Sequence, residues 1–302
     1  MIGALLIDKP KGLTSHDVVA RVRRIVGIRR VGHAGTLDPF ATGLLILCLG
    51  RATRLAQFLV DLDKEYVAAV RLGFATDSQD LTGKQITSLT SSEKVSLDDV
   101  RRVLSEFTGP QLQTPPMFSA KKIAGERLYR AARAGREVER KPVRITIHSI
   151  ELMGPLIGND DGTRDFPIRV KCSSGSYIRT VAHDIGARLG VGAHLSGLRR
   201  TAVGSFGISR ALSLEQLEAR QCNGTLMEEI VRPAEMLEHL RVVNVGRDGV
   251  ESVRHGRSIR LPAPEGDVPI RVCDPEGNLI AVGDYDPGLM VLRPRIVLID
   301  DA

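Results

Sequence analysis

Apolar residues in this chain change their spacing repeatedly, and this change limits the possible folds more than any other feature. Short continuous or alternating apolar runs, typical of strands, give way to stretches in which apolar residues recur every three or four positions, as on a helix face. A strand at residues 4–7 precedes a helix capped by Thr14 or Ser15, and a buried strand follows at 44–49. Such a mixture predicts an α+β fold.

Further elements continue this mixture up to about residue 238. They are helices at 51–60, 97–107, 126–136 and 176–189, and strands at 64–72, 143–147 and 166–172. From residue 240 onward the chain instead consists of short strands separated by Gly, Pro, Asp and Asn, which are turn formers. We therefore expect two domains, at 1–238 and 239–302, of which the second is small and rich in β-structure.

Positive charge is concentrated in two blocks of the sequence. The 302 residues carry a net charge of +6, from 42 Lys and Arg against 36 Asp and Glu. Residues 1–60 and residues 111–144 each hold 9 basic and 3 acidic side chains. These blocks suit a phosphate backbone, although solvated helix faces would explain them equally well. Aromatic residues make up only 4% of the chain, which argues against a protein that stacks many bases.

Cysteine usage and hydropathy indicate a cytoplasmic protein. The four cysteines are far apart and form no Cys-x-x-Cys pair, so they predict free thiols rather than disulfides or a zinc site. No apolar run reaches the roughly 18 residues of a membrane span. The first residues become charged too early for a signal peptide. We expect no membrane contact.

A glycine-rich segment at residues 32–43 contains the first candidate for chemistry. Its three glycines indicate a backbone that turns tightly or approaches another group closely. Asp38 lies within the segment and precedes Pro39, which disfavours helical geometry at the aspartate and holds it in an extended or turn conformation. A carboxylate fixed in this way is a candidate catalytic group, although an aspartate that only stabilises a turn has the same pattern.

Two further clusters add candidate residues. Tyr177 and Arg179 stand at the start of a predicted helix, just after a strand. The helix dipole disfavours a cation at this end, so we expect Arg179 to pair with a nearby anion. Lys64 and Tyr66 stand at the head of a strand, where a tyrosine more often belongs to the core than to a site. No P-loop or dinucleotide-binding motif is present, and the acidic pairs Asp61/Asp63 and Asp77/Asp80 are commoner as turns than as magnesium ligands.

Taken in order, these segments resemble the TruB family of tRNA pseudouridine synthases, nearly from end to end. The motifs that carry the resemblance are DKPKGLTS at 8–15, GHAGTLDP at 32–39, KEY at 64–66, TDSQD at 76–80, PPMFSA at 115–120, GSYIRT at 175–180 and LRR at 198–200.

The resemblance implies a mixed, largely antiparallel central sheet flanked by helices, an RNA-gripping insertion near 111–144 and a C-terminal domain similar to the PUA domain. It also implies that uridine 55 in the T-loop of tRNA becomes pseudouridine after the base is flipped from its stack. The base leaves C1′, rotates and rejoins through C5, with no cofactor or metal. The implied partner is the tRNA T-loop and elbow, and we expect a monomer without guide RNA or protein partner.

The same resemblance implies roles for individual residues. Asp38 matches the catalytic aspartate, Arg179 the arginine that pairs with it, and Tyr66 the residue that stacks on the target base and takes part in proton transfer. The residues alone do not distinguish attack by Asp38 on C1′ or on the base from removal of the 2′ proton. His33 matches a histidine that helps to flip or hold the RNA. Pocket-lining or RNA-binding roles are expected for Tyr177, Leu198, Lys9, Lys64 and Arg30.

Two other functions fit part of the sequence. A non-catalytic tRNA-elbow binding protein or chaperone would need only the basic blocks and the C-terminal domain, and it would have no use for the set of Asp38, Tyr66 and Arg179. A metal-dependent nuclease would instead use the acidic residues Asp61, Asp63, Asp77 and Asp80. EDTA would abolish its activity.

Overall fold

The computed structural model describes residues 1–118, 122–123, 126–127, 138–261 and 269–299. In chain order the strands are β1 (Gly3–Lys9), β2 (Val31–His33), β3 (Thr42–Leu49), β4 (Lys64–Leu72), β5 (Gly109–Gln113), β6 (Lys122–Ile123), β7 (Glu126–Arg127), β8 (Val143–Leu152), β9 (Ile157–Gly158), β10 (Arg164–Cys172), β11 (Ala193–Val203), β12 (Phe206–Gly207), β13 (Val242–Asn244), β14 (Ile259–Arg260), β15 (Ile270–Cys273), β16 (Leu279–Asp286) and β17 (Val291–Val297).

The α-helices are α1 (Ser15–Val26), α2 (Ala56–Val60), α3 (Leu97–Ser105), α4 (Ile178–Arg188), α5 (Leu214–Cys222), α6 (Pro233–Met236) and α7 (Arg247–Arg254). Short 3-10 helices lie at Gly50–Leu55, Ile208–Arg210 and Leu226–Glu229. No helix in the described ranges is both long enough and apolar enough to cross a membrane.

The largest sheet formed by the described residues has ten strands. Its main order is β1-β3-β11-β4-β10-β8-β5, with β2 paired to β3, β9 to β10 and β12 to β11. The pair β3 and β11 is parallel, whereas the other neighbours in this sheet are antiparallel. The predicted mixed, largely antiparallel sheet with flanking helices is therefore confirmed.

The continuous apolar run of β3 is explained by burial on both faces. Leu45 and Leu47 pack with the apolar face of α1, whereas Leu44 and Ile46 pack on the opposite side with the 3-10 helix at Gly50–Leu55. Successive strand residues point to opposite faces, so a strand covered on both sides needs apolar residues at every position. This arrangement makes β3 a rigid support for the glycine-rich segment before it.

Gly43 allows β3 and β11 to approach closely next to the candidate site. Its φ is +102°, and a Cβ atom there would overlap the backbone of Arg200. We expect Gly43→Ala to lower the free energy of unfolding by roughly 3 kcal/mol or more, because backbone strain and a backbone clash add together. Denaturant unfolding measures this loss.

Gly27→Ala is the matched control for that variant. Gly27 ends α1 with φ +67°, and no heavy atom lies within 4 Å of the position of an added Cβ. Only the strain of the left-handed backbone applies there, so about 1 kcal/mol is expected. Equal losses for the two variants would contradict the close contact between the strands.

The sequence analysis missed β11 and misplaced several boundaries. The segment 193–203 has no clean alternation of apolar and polar residues, yet it pairs along β4 as a central strand with two register shifts. The helix predicted at 51–60 is a 3-10 helix followed by α2, and the helix predicted at 176–189 begins at Ile178. In the helix predicted at 126–136, Glu126–Arg127 instead forms β7, paired with β6; residues 128–136 lie outside the described residues.

A second sheet contains the C-terminal strands in the order β13-β15-β16-β17-β14. The expectation of short strands there is correct, except that α7 interrupts them. Cys273 and Val282 of this sheet share an apolar cluster with Ala4 and Leu6 of β1. The predicted domain boundary at 238 and the similarity to the PUA domain stay predictions.

Candidate active site

The segment that carries Asp38 is fixed by hydrogen bonds to the start of the chain. The N–H of Leu37 donates to Ser15 Oγ at 2.9 Å, and the N–H of Gly12 donates to the carbonyl of Pro39 at 2.8 Å. A turn closes within the segment, because the N–H of Ala41 donates to the carbonyl of Asp38 at 3.1 Å. The aspartate is thus held in place by both neighbours, as expected for the residue before a proline in a packed turn.

Arg179 in the first turn of α4 forms an ion pair with Asp38. Its Nε lies 2.9 Å from Asp38 Oδ2, and its Nη2 lies 3.4 Å from Oδ1. The arginine side chain is only 5% exposed, whereas that of Asp38 is 39% exposed. The carboxylate is therefore the member of the pair that a substrate can reach. The anion that the sequence analysis required near this helix start is Asp38.

A second carboxylate holds Arg179 from the other side. Asp80 Oδ2 lies 3.6 Å from Arg179 Nη1, and its side chain is 5% exposed. Asp80 Oδ1 accepts hydrogen bonds from Ser78 Oγ at 2.8 Å and Thr82 Oγ1 at 2.6 Å. Backbone carbonyls of Ser78 and Phe118 accept from the same guanidinium at 3.0 and 2.7 Å. Arg179 is thereby fixed in one orientation toward Asp38.

The electrostatics of this network act in opposite directions on Asp38. Burial raises the pKa of its carboxyl group, and the nearby Asp80 charge raises it further. Arg179 lowers the pKa of the same group through its charge and its hydrogen bond. Arg179 therefore favours the ionised carboxylate, with a smaller contribution from the charge of Lys9, and this is the form able to attack carbon or accept a proton.

The effect of Asp80 can be tested with Asp80→Asn. We expect the rate to fall by about 10- to 50-fold, because loss of the Asp80 carboxylate releases the guanidinium from its fixed orientation beside Asp38. The loss of a nearby negative charge also lowers the pKa of Asp38, so the acid limb of the pH–rate profile should move to lower pH. An acid limb that moves upward would contradict this arrangement.

A cavity of about 220 Å³ opens beside the ion pair. The predicted site residues that line it together are Asp38, Arg179, Tyr66, Tyr177, Leu198 and Lys64. Tyr66 and Leu198 lie on the neighbouring strands β4 and β11, so the sheet itself sets the distance between them. Burial raises the pKa of the Tyr66 hydroxyl, which keeps it protonated at neutral pH.

Tyr177 is positioned by a buried amide on the edge strand β5. Its N–H donates to Gln113 Oε1 at 2.8 Å, and its carbonyl accepts from Gln113 Nε2 at 3.0 Å. These paired bonds fix the backbone where α4 begins, since Tyr177 is the N-cap residue of that helix. The edge of the sheet therefore supports the same helix start that carries Arg179.

The two predicted RNA-binding lysines are buried against backbone carbonyls. Lys9 Nζ donates to the carbonyls of Leu13 at 2.7 Å and Pro39 at 3.4 Å, and Lys64 Nζ donates to the carbonyl of Leu62. Burial lowers the pKa of both lysines to about 8. Lys9 therefore braces the turn after Asp38, and contact of either lysine with RNA stays a prediction.

His33 and Arg30 lie outside the set of residues that line the cavity. The His33 ring makes an edge contact with the His16 ring, with 5.3 Å between centroids, and burial lowers the pKa of His33. Arg30 is exposed, and its Nε donates to Thr53 Oγ1 at 2.8 Å. Their proposed contacts with RNA would have to form outside the cavity.

The acidic residues of the nuclease alternative are not arranged as a metal site. Asp63 pairs with His148 at 3.0 Å, Asp77 accepts from the N–H of Lys84 at 2.8 Å, and Asp80 is engaged with Arg179. Within the described part of the chain, no three His, Cys, Asp or Glu side chains converge on a point. The sequence analysis considered Asp80 as part of the TDSQD motif, as a turn residue or as a metal ligand, and it missed the contact with Arg179.

Two family models match consecutive parts of the chain. One is described as TruB family pseudouridylate synthase (N terminal domain) and matches residues 23–178. The other is described as tRNA pseudouridylate synthase B C-terminal domain and matches residues 179–238. Together they include Asp38, Arg179 and the strands between them.

Several relatives named tRNA pseudouridine synthase B are similar along most of their length. The protein of Geobacillus thermodenitrificans is 43% identical over 284 residues, which cover 93% of this chain and 94% of that protein. The protein of Bacillus velezensis is 40% identical over 301 residues, which cover 98% and 97%. The protein of Opitutus terrae is 49% identical over 217 residues, which cover 72% and 87%.

Solved structures of larger complexes contain chains with a similar fold. A chain in the structure of a Cbf5-Nop10-Gar1 complex has a TM-score of 0.73 and 28% identity, covering 99% of this chain and 84% of that one. A chain in an H/ACA RNP bound to a substrate RNA containing 2′-deoxyuridine has a TM-score of 0.74 and 27% identity. With the family models and the relatives, this similarity shows that the chain belongs to the TruB family of tRNA pseudouridine synthases.

Proposed function

We propose that the chain converts uridine 55 in the T-loop of tRNA to pseudouridine, with Asp38 as the group that acts at the sugar. The observation that carries this proposal is a partly exposed carboxylate, paired with a buried arginine, beside a cavity that Tyr66 and Leu198 also line. Relatives with similar sequences are named tRNA pseudouridine synthase B. A protein that only binds RNA has no need for this pair.

The proposed reaction is an isomerisation in which no atom is lost. The N1–C1′ bond of uridine breaks, the base turns, and a C5–C1′ bond forms. The proton on C5 leaves and N1 gains a proton, so neither an oxidant nor a group donor is needed. Asp38 either attacks C1′ or the base, or it removes the 2′ proton, and the ionised form of its carboxyl group serves in each case.

The cavity supports recognition of a single flipped base. A base inside a stacked T-loop cannot reach Asp38, so it must be extruded at a cost of a few kcal/mol. Tyr66 offers an aromatic face for stacking, and Leu198 offers an apolar surface from the adjacent strand. The protonated hydroxyl of Tyr66 is also placed to exchange a proton with the base.

The remaining parts of the chain would hold the tRNA around that base. We assign this role to the insertion near 111–144, with its 9 basic residues, and to a C-terminal RNA-binding domain at 239–302. Residues 119–121, 124–125 and 128–137 of the insertion lie outside the described residues. We further propose a cytoplasmic monomer that recognises tRNA without guide RNA or protein partner, reading the folded stem-loop by shape and backbone.

The test is to map pseudouridine in a tRNA transcript after incubation with the enzyme. Conversion at position 55, in the presence of EDTA and without cleavage of the RNA, is the expected result. A transcript with cytidine at position 55 is the matched control and should stay unmodified. Conversion at another position only, or cleavage that EDTA prevents, would contradict the proposal.

A further inference from the structure

Arg200 is a buried arginine that the proposed reaction does not yet use. It lies on β11, and the residue is 1% exposed. The arginines around it have carboxylate partners, since Arg199 pairs with Asp8 at 2.6 Å and Arg179 pairs with two aspartates. None of the ion pairs among the described residues includes Arg200. A buried cation without a counter-ion is costly, so its retention points to a function.

The hydrogen bonds of Arg200 connect both ends of the segment that carries Asp38. Its Nη2 and Nη1 donate to the carbonyls of Gly35 at 3.4 Å and Thr36 at 3.2 Å, just before Asp38. Its Nε donates to the carbonyl of Leu44 at 2.7 Å, where β3 continues after the segment. A planar guanidinium with fixed N–H directions holds these carbonyls in one geometry.

Arg200 also lies directly beside Tyr66 on the neighbouring strand. The two residues are register partners in the antiparallel pair of β11 and β4, so their side chains lie on the same face. Three of the five N–H groups of the guanidinium are used by carbonyls, and the Arg200 and Tyr66 side chains both line the cavity.

We propose that Arg200 is a positioning residue that holds the Asp38 segment and the Tyr66 hydroxyl in fixed relation across the cavity. The proposal rests on the proposed roles of Asp38 and Tyr66. Gly43 is part of the same device, because only a residue without Cβ lets β3 approach the Arg200 backbone closely. The positive charge of Arg200 also opposes the rise in the pKa of Tyr66.

The test compares Arg200→Lys with Arg164→Lys in single-turnover reactions on tRNA. Arg164 is the matched control, since it donates to the carbonyls of Ser92 at 3.0 Å and Val95 at 3.1 Å in the same sheet, away from the cavity. We expect Arg200→Lys to lower the rate about 100-fold with tRNA affinity within threefold, because a lysine cannot hold several carbonyls and a misplaced reacting group costs this much. Arg164→Lys should keep the rate within twofold.

Energetic coupling between Arg200 and Tyr66 distinguishes the proposed positioning role from a purely structural role. In the Tyr66→Phe background, Arg200→Lys should cost less than in the wild type, because the hydroxyl that Arg200 orients is absent. Equal costs in the two backgrounds, or a rate within twofold of the Arg164→Lys enzyme, would overturn the proposal. Wild-type enzyme without any pseudouridine formation would instead contradict the proposed function itself.

If Arg200→Lys does not fold, a measurement on the native arginine tests the proposal instead. In enzyme with nitrogen-15 arginine, the side-chain N–H signals of Arg200 should exchange slowly with water and shift in the Tyr66→Phe variant. Signals that exchange fast, or that do not respond to loss of the hydroxyl, would overturn the proposal without reference to catalysis.

Discussion

Asp38→Asn should abolish pseudouridine formation while tRNA binding survives. Asparagine keeps the size of the side chain, but it can neither attack C1′ nor take a proton as a carboxylate does. We expect the single-turnover rate to fall by about 10⁴-fold or more, which corresponds to roughly 5 kcal/mol of transition-state stabilisation. Quantification of pseudouridine at position 55 after a single turnover measures the rate, and filter binding measures the affinity for tRNA.

Asp99→Asn is the control for that change. Asp99 is a carboxylate that caps α3 through Ser96, and it is not among the residues that line the cavity. The same chemical change there should lower helix stability by about 1 kcal/mol and leave the rate unchanged. If Asp38→Asn enzyme keeps a rate within tenfold of the wild type, Asp38 is not the group that acts on the sugar.

The pairing of Asp38 with Arg179 could be predicted because each residue is unusual for its position in the predicted local structure. An arginine at a helix N-terminus is unfavourable without an anion, and an aspartate before a proline in a glycine-rich segment cannot be part of a helix. Each anomaly identifies one half of a contact. The family resemblance then supplied the connection between them, and the distance of 2.9 Å confirms it.

Asp80 and Arg200 could not be assigned in this way. The sequence TDSQD reads as a turn or as metal ligands, and only the fold reveals that Asp80 faces Arg179, 99 positions further along the chain. Arg200 belongs to a strand whose apolar pattern is broken by buried charge, and this break is also why β11 was not predicted. Residues that serve a site disturb the binary pattern from which strands are recognised.

The bounds of the helices and strands around the site illustrate a second limit of prediction from the sequence. The strand predicted at 64–72 is β4 itself, because its alternation reflects burial on one face, whereas the helix before it splits into a 3-10 helix and α2. Arg54 lies in the 3-10 part of that split helix and donates to the carbonyl of Val297, 243 positions away. Local propensity does not contain such long-range contacts, so boundaries near them are the least predictable.

Arg179→Gln should produce the second large loss and a distinctive pH dependence. Without the guanidinium, the Asp38 and Asp80 carboxylates lose the cation that pairs with both of them, and breaking a buried pair in this way lowers stability by roughly 3 kcal/mol. We expect the rate at neutral pH to fall by about 10³-fold, because Asp38 loses both its orientation and part of its ionisation. The control is Arg188, which lies on α4 like Arg179 and pairs at the surface with Glu106. Arg188→Gln should leave the rate unchanged.

The pH profile gives the sharper test of the ion pair. Asp38 is active when ionised, so the rate falls as pH drops through its pKa, which burial raises and Arg179 lowers. Removal of Arg179 therefore raises that pKa further and moves the acid limb to higher pH, opposite to the shift expected for Asp80→Asn. The double variant Arg179→Gln/Asp80→Asn should show an acid limb between those of the two single variants. Acid limbs that move in the same direction in both single variants would exclude a network in which one cation is shared by two carboxylates.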